Sequence, residues 1–204
     1  MTLPTSYSWY PVKERLKVPY EPSSGRRVNA IGAVFSHGPL AGRFVFGSRA
    51  RLPESKAKKP RKTLLERAVQ HGVTEAEVGT LDSAFFLGFV WKLAGKPEGA
   101  FEAWRRERPL VIVLDNYSVH TSQEVKDALP TLKAANIELF HLPSYSPELS
   151  KMEPIWEDVK YHELTRRSFE QLGELKREVD NALKRKAKKL SSLSKTQQLL
   201  DRTT

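Results

Sequence analysis

The sequence predicts an α/β domain in which helices flank a partly parallel sheet. Hydrophobic residues make up 39% of the 204 residues, which is enough for one core of ordinary size. Short apolar runs at 109–114 and 136–142 have the length and composition of strands. Segments with helical spacing separate the strand-like runs, and this strand–helix–strand order is typical of parallel pairing.

The predicted elements follow one another in a simple order. The strands are 27–35, 42–47, 109–114 and 136–142, and the helices are 63–78, 81–93, 121–135, 152–164 and 168–190. The first two strands lie on either side of a turn that contains Gly38-Pro39, so they predict a hairpin. Residues 49–62 are basic and interrupted by two prolines, so we expect a loop there.

Residue spacing and end signals predict the helices. Apolar side chains recur every four residues from Leu81 to Leu93, with Asp82 as the expected N-terminal cap and Gly95 as the end signal. Pro130 lies inside the helix predicted for 121–135, where it is expected to kink or split the helix. Apolar residues at spacings of three and four predict that the last helix is amphipathic.

One core with three terminal segments is the predicted organisation. An extended lead-in covers 1–27, the core 28–165, an amphipathic helix 166–190 and a polar tail 191–204. No apolar stretch approaches the length of a membrane span, and the N-terminus lacks the charged-then-apolar order of a signal peptide. The absence of cysteine excludes disulfides and thiolate zinc sites. We therefore expect a cytoplasmic protein without membrane association.

The charge of the chain favours a polyanionic partner. Lys and Arg outnumber Asp and Glu by 34 to 24, which gives a net charge of +10 and a pI near 9.8. Positive charge is concentrated at 49–67, with eight basic and two acidic residues, and at 161–204, with eleven and six. Clustered basic residues are typical of proteins that bind polyanions. The alternative interpretation is a protein that is basic in general and has no polyanionic partner.

Asp115 is the first candidate site residue. It ends the apolar run P-L-V-I-V-L and is followed by N-Y-S-V-H. A strand that stops at an acid directs the carboxylate out of the carboxyl end of the sheet, where α/β proteins hold their active sites. A simple Asp115-Asn116 turn is the alternative. His120 is close enough along the chain to lie beside Asp115, with a purely structural hydrogen bond as its alternative role.

Glu153 is the second candidate, near the start of a predicted helix. Ser150 and Glu153 fit a capping box, but Pro154 would then occupy an unfavourable helical position. Placing Glu153 just before a helix with Pro154 in its first turn leaves the carboxylate free. Two carboxylates on separate elements suit a hard divalent cation, although holding two cations for phosphodiester chemistry usually requires three or more. We expect folding to bring Asp115 and Glu153 close enough to share a cation.

Three segments resemble the catalytic core of DDE-type transposases, in the mariner-like bacterial insertion-sequence branch of the retroviral-integrase superfamily. They read V-I-V-L-D-N-Y-S-V-H at 111–120, I-E-L-F-H-L-P-S-Y-S-P-E-L at 137–149 and E-P-I-W at 153–156, within a resemblance that covers 28–165. The resemblance implies a ribonuclease-H-like fold with a five-stranded mixed sheet. It also implies cleavage and strand transfer of DNA with Mg²⁺ or Mn²⁺, using two ions in the complete enzyme.

The resemblance also assigns roles to the candidate residues. Asp115 matches the second acid of the family's catalytic triad, and Glu153 matches the third. Asn116 and His120 match the motif neighbours that lie beside the acids.

Departures from the family pattern predict an incomplete site. The family's Asn-Pro before the glutamate is Ser150-Lys151 here. Family members carry their first acid on a strand before a Trp-x-Pro region, which resembles Trp9-Tyr10-Pro11, and none of the eight residues before Trp9 is acidic. The family's N-terminal helix-turn-helix has no counterpart either. We expect a truncated or split transposase that lacks the first, central strand and has little activity alone. It is either a remnant or one half of a product that an upstream-encoded fragment completes. The resemblance further implies a homodimer on paired DNA ends.

Nine basic residues are predicted to contact DNA phosphates without reading the bases. They are Arg49, Arg51, Lys58, Lys59, Arg61 and Lys62 in the basic loop, and Lys184, Arg185 and Lys186 in the last helix. A non-catalytic DNA-binding remnant that uses the same residues is the alternative function. A fragment that does not fold is the third hypothesis.

Overall fold

Two small β-sheets and five α-helices make up the part of the chain that the structure describes. The structure is a computed structural model, and it describes residues 26–53, 62–99, 103–144, 146–164 and 169–200. In chain order the elements are β1 Arg27–Val34, β2 Phe44–Arg51, α1 Leu64–Gln70, α2 Ser83–Ala94, β3 Leu110–Leu114, α3 Gln123–Ala134, β4 Ile137–His141, α4 Glu153–Asp158 and α5 Leu172–Leu200.

The predicted hairpin is confirmed, with a longer second strand than the sequence predicted. β1 and β2 pair antiparallel, from Arg27 opposite Arg51 to Val34 opposite Phe44. Gly38 and Gly42 in the connection have φ values of 80° and 78°, which residues with a Cβ rarely adopt. The expectation of a loop from residue 49 is wrong at its start, because Arg49 and Arg51 continue the ladder with β1.

Helix α2 begins and ends where its sequence signals predicted. The Asp82 side chain accepts a hydrogen bond from the backbone N–H of Phe85 at 2.9 Å and so caps the helix. Gly95 adopts the left-handed conformation, with φ of 74°, and ends the helix. The apolar stripe predicted from the spacing is buried at Phe89 and Leu93 and half-buried at Leu81 and Phe85.

The predicted parallel crossover is also confirmed. β3 and β4 pair in parallel, and α3 connects them along the chain. Pro130 neither splits nor ends α3, contrary to expectation. Pro130 and Lys126, whose carbonyl loses its helical donor, are both exposed, so water can satisfy that carbonyl.

The strands form two separate sheets instead of the single five-stranded sheet that the resemblance implied. In the portion described, β1 pairs only with β2, and β3 pairs only with β4. Within this portion, one edge of β1 and one edge of β3 therefore lack a strand partner. The chain is a mixed α/β protein that is compatible with a ribonuclease-H-like domain, and the missing central strand remains a prediction.

The C-terminal region departs from the predicted helix boundaries. The helix predicted for 152–164 is the short α4 followed by a π-helical segment, Val159–Glu163. α5 continues to Leu200, where a polar tail was expected after residue 190. In the described ranges, no helix combines the length and apolar character needed to cross a membrane.

Two buried clusters organise these elements around the hairpin. α2 and α3 pack on one face of the β3–β4 pair, where Ile112 and Leu114 are buried, and Ile31 of β1 packs against the same cluster. The opposite face of the hairpin, centred on Phe44, packs against Ile155 of α4 and against α5. The hairpin thus lies between α2 on one side and α4 with α5 on the other.

Candidate active site

Asp115 follows the last residue of β3 and presents an exposed carboxylate. Its Oδ1 atom lies 2.8 Å from Nδ1 of His120 and accepts a hydrogen bond from the backbone N–H of Tyr117 at 3.2 Å. Because a carboxylate can only accept hydrogen bonds, the hydrogen of the His120 contact lies on Nδ1. The side chain of Asp115 is nevertheless 67% exposed. One of its oxygens is therefore fixed while the group stays accessible.

His120 is largely buried beside Asp115 and is held in place by aromatic contacts. Its side chain is only 14% exposed. The ring packs against Phe86 of α2, with centroids 4.5 Å apart, and against Tyr117 at 5.9 Å. The sequence prediction that His120 lies beside Asp115 agrees with this geometry. The contribution of Phe86 was not predicted, because a residue in the apolar stripe of α2 carries no sequence signal for contact with a distant loop.

Asn116 joins the ends of the two parallel strands. Its Nδ2 atom donates to the backbone oxygen of Leu142 at 2.8 Å. Leu142 in turn donates from its N–H to the oxygen of Leu114 at 2.8 Å. The loop that follows β4 is therefore fixed beside Asp115, and this loop leads along the chain to Glu153.

Glu153 is the first residue of α4 and is exposed. The capping box with Ser150 is absent. The backbone N–H of Glu153 donates to the backbone carbonyl oxygen of Ser150 at 3.3 Å, and the N-cap residue is Met152. Pro154 lies in the first turn, as predicted. Elsewhere in the described structure, no hydrogen bond or ion pair engages the Glu153 carboxylate.

The structure brings three of the four candidate residues together. Asp115, Asn116 and His120 lie at the common end of β3 and β4. Glu153 belongs to α4, which packs on the hairpin through Ile155 and through an edge-to-face contact between Trp156 and Phe44, with centroids 6.1 Å apart. Neither acid pairs with Lys or Arg in the described residues. A shared cation between the two carboxylates stays a prediction, and the described residues contain no group of three or more His, Asp or Glu that could hold a metal ion.

The basic residues predicted near the hairpin have different environments. Arg49 lies on β2 with its guanidinium 4.6 Å from the centroid of the Phe85 ring, and Arg51 ends the same strand. Lys62 donates to Oε1 of Gln70 at 3.0 Å. Lys58, Lys59 and Arg61 lie outside the described residues.

Two of the three predicted cations on α5 form ion pairs within the fold. Arg185 lies 2.8 Å from Glu178, and Lys186 lies 2.9 Å from Asp158. The hydrogen bond from Lys186 lowers the pKa of Asp158, and the hydrogen bond to Glu178 raises the pKa of Arg185. Lys184 is exposed and forms no ion pair with any described residue. Among these three, Lys184 therefore has the charge most accessible to DNA.

Comparison with known proteins identifies the family. No curated protein and no solved structure shows a significant similarity to this chain. The family model described as DDE superfamily endonuclease matches residues 2–176, which include Asp115, His120 and Glu153. This match spans most of the chain and agrees with an acid held at the end of a strand in a mixed α/β protein. The chain is a member of the DDE superfamily endonucleases.

Proposed function

We propose that this chain provides the catalytic core of a DNA transposase that cleaves phosphodiester bonds and transfers strands. Family membership suggests a transposition-related nuclease with DNA as its substrate. The observation that carries the proposal is the Asp115 carboxylate, which is exposed yet fixed through one oxygen by His120 and Tyr117. Such an acid is ready to bind a cation with little loss of side-chain freedom.

The donor chemistry fits Mg²⁺ or Mn²⁺ in part. Asp115 and Glu153 offer carboxylate oxygens, which these hard cations prefer, and neither acid is neutralised by Lys or Arg in the described residues. When bound, two such ions would activate the attacking water or hydroxyl and stabilise the leaving oxygen. His120 would keep Asp115 oriented, and Asn116 would fix the loop that leads to Glu153. The described residues bring no third carboxylate into this group.

We infer that the complete site takes its third acid from an additional strand. In the part of the chain described, β1 and β3 each have an unpaired edge, and each edge can pair with an additional strand. An apolar segment that ends in Asp is the source that the sequence resemblance favours. Alone, this chain is then expected to cleave DNA poorly.

Plasmid nicking tests this function. The chain is purified alone and together with a polypeptide that supplies an apolar strand ending in Asp, and Mg²⁺- or Mn²⁺-dependent nicking is measured. We expect strong nicking only with both polypeptides, and a loss of roughly 100-fold or more in Asp115→Asn and Glu153→Gln. Asp127→Asn, an exposed acid on α3, is the matched control. Nicking that survives both acid substitutions would contradict the assigned roles, and efficient nicking by the chain alone would contradict the third-acid inference.

A non-catalytic DNA-binding remnant is the second candidate function. It is favoured by the lack of a three-acid cluster in the described residues and by the net charge of +10. In that case DNA affinity should fall steeply with salt and be independent of sequence. Asp115→Asn should leave binding unchanged, and adding a polypeptide that supplies the strand should not produce cleavage.

A further inference from the structure

We propose that the groove between β2 and α2 is a binding site for a DNA strand, an inference that rests on DNA as the partner in the proposed function. The groove is open, with a volume of about 600 Å³. Gly47 and Arg49 of β2 form one wall, and Phe85, Gly88 and Lys92 of α2 form the other. The three α2 residues are spaced by three and four, so they form one stripe along the helix.

Gly88 is the first observation that points to a ligand. It lies in the middle of α2 and is exposed, and a Cβ atom added to it would meet no heavy atom within 4 Å other than those of its chain neighbours and its own helix backbone. Glycine in a helix interior is less stable than alanine, because the unfolded chain has more freedom to lose. Neither packing nor backbone conformation requires glycine at this position. Its lack of a side chain instead leaves the groove open, so that a ligand can approach the helix backbone.

The charges in the groove complement a phosphodiester backbone. Arg49 is half-buried, and its guanidinium is held over the Phe85 ring. Lys92, one turn beyond Gly88, is exposed and makes no ion pair with any described residue. The Asp82 carboxylate at the other end of the groove caps the N–H of Phe85 and accepts a hydrogen bond from Thr80 at 3.3 Å. The groove therefore contains two cations and one carboxylate, and the carboxylate already has hydrogen-bond partners. This balance of charge favours the binding of a phosphate group.

One end of the groove lies next to the candidate active site. Phe86, adjacent to Phe85, packs on His120, and Ser83 in the first turn of α2 donates to Ser122 at 2.8 Å. A helix rises about 1.5 Å per residue, so Lys92 is about 15 Å from Asp82 along the axis. A strand in the groove would extend a few nucleotides away from the Asp115 end of β3. The groove is thus placed to hold DNA that flanks the reacting phosphate.

DNA affinity and stability of the full chain, measured on the same variants, test this groove. The affinity probe is a fluorescent duplex of random sequence, titrated at several salt concentrations. Gly88→Glu should weaken binding by about tenfold, and Lys92→Ala should reduce the slope of log K against log salt by about one. Thr131→Glu and Lys126→Ala, on exposed positions of α3, are the matched charge controls. Gly88→Ala should raise Tm by about 2 °C, since glycine is not needed for folding.

Each possible result decides between the alternatives. If the unsubstituted chain binds DNA and the groove variants bind it as tightly as the control variants do, the groove is not a DNA-binding site. The proposed function would then remain intact. A lower Tm in Gly88→Ala would show that glycine serves the fold and would also overturn it. Absence of any DNA binding by the unsubstituted chain would overturn both the groove and the proposed function.

Discussion

Glu163 provides a direct test of how α5 is fixed to the segment that carries Glu153. Its side chain is 3% exposed, at the end of the π-helical segment that continues α4. Oε1 lies 2.6 Å from Nζ of Lys189, and Oε2 lies 3.4 Å from Nε of Arg185. The two cations are 63% and 44% exposed, so the anion is the buried member of the group.

This asymmetry predicts that removing the anion costs less than removing its partners. Glu163→Gln keeps the shape and removes the buried charge, while Arg185 retains its contact with Glu178 at 2.8 Å. We expect the free energy of unfolding to fall by about 1–2 kcal/mol, since two ion-pair contacts are lost but no charge is left unpaired in the interior. Replacing both cations by Met instead leaves the buried carboxylate unpaired, and the free energy of unfolding should fall by more than it does in Glu163→Gln.

Urea unfolding followed by circular dichroism measures these differences. Met substitutions at Lys184 and Lys188, two exposed lysines on the same helix, are the controls and should change stability by less than about 0.5 kcal/mol. Adding Glu163→Gln to the double Met variant should restore part of the lost stability, because the unpaired charge is then gone. A larger loss in Glu163→Gln than in the double Met variant would refute this account of the group.

Three further substitutions test other parts of the structure. Gly173→Ala should lower the free energy of unfolding by at least about 1–3 kcal/mol, because its Cβ would lie 2.0 Å from the backbone oxygen of Gly72. An unchanged Tm would contradict this close approach. Leu183→Ala should lower the free energy of unfolding by about 2–5 kcal/mol because the side chain is fully buried, whereas Leu193→Ala, at an exposed position, should have little effect in the same urea titration. The backbone N–H of Thr74 lowers the pKa of Glu77 below its usual 4.5, so the contribution of this group is present above that pH and is lost as the pH falls through the folded-state pKa. Unfolding measured across this acidic range should therefore depend less on pH in Glu77→Gln, and an unchanged pH dependence would exclude this contribution.

The sequence predicted those elements whose signals are local. The stripe of α2, its Asp82 cap and its Gly95 end all depend on residues within one or two turns, and all are confirmed. The end of β2 could not be predicted, because Arg49 and Arg51 are strand residues only through pairing with β1. The continuation of α3 through Pro130 depends on the exposure of that turn, which spacing alone does not reveal.

The candidate site also combines contacts that local sequence predicts with contacts that depend on distant segments. Asp115 and His120 are five residues apart, so a turn after β3 was enough to predict that they meet. The partner of Asn116 is the backbone of Leu142, and that contact requires the parallel pairing of β3 with β4. Gly88 gave no functional signal, since glycine is tolerated in a helix and only the neighbouring wall of β2 turns its lack of a side chain into part of a groove.

Completion of the site and stability of the fold are physically linked if the predicted central strand exists. A strand inserted between β1 and β3 would supply the third acid and would also pair backbone groups on both edges. Each buried backbone group left unpaired costs about 1–3 kcal/mol, against a total stability of about 5–15 kcal/mol for a typical domain. A polypeptide that restores cleavage should therefore also raise the Tm of this chain, because it binds the folded state through hydrogen bonds that the unfolded state lacks. Restored cleavage without a rise in Tm would mean that the third acid reaches Asp115 from outside the sheet.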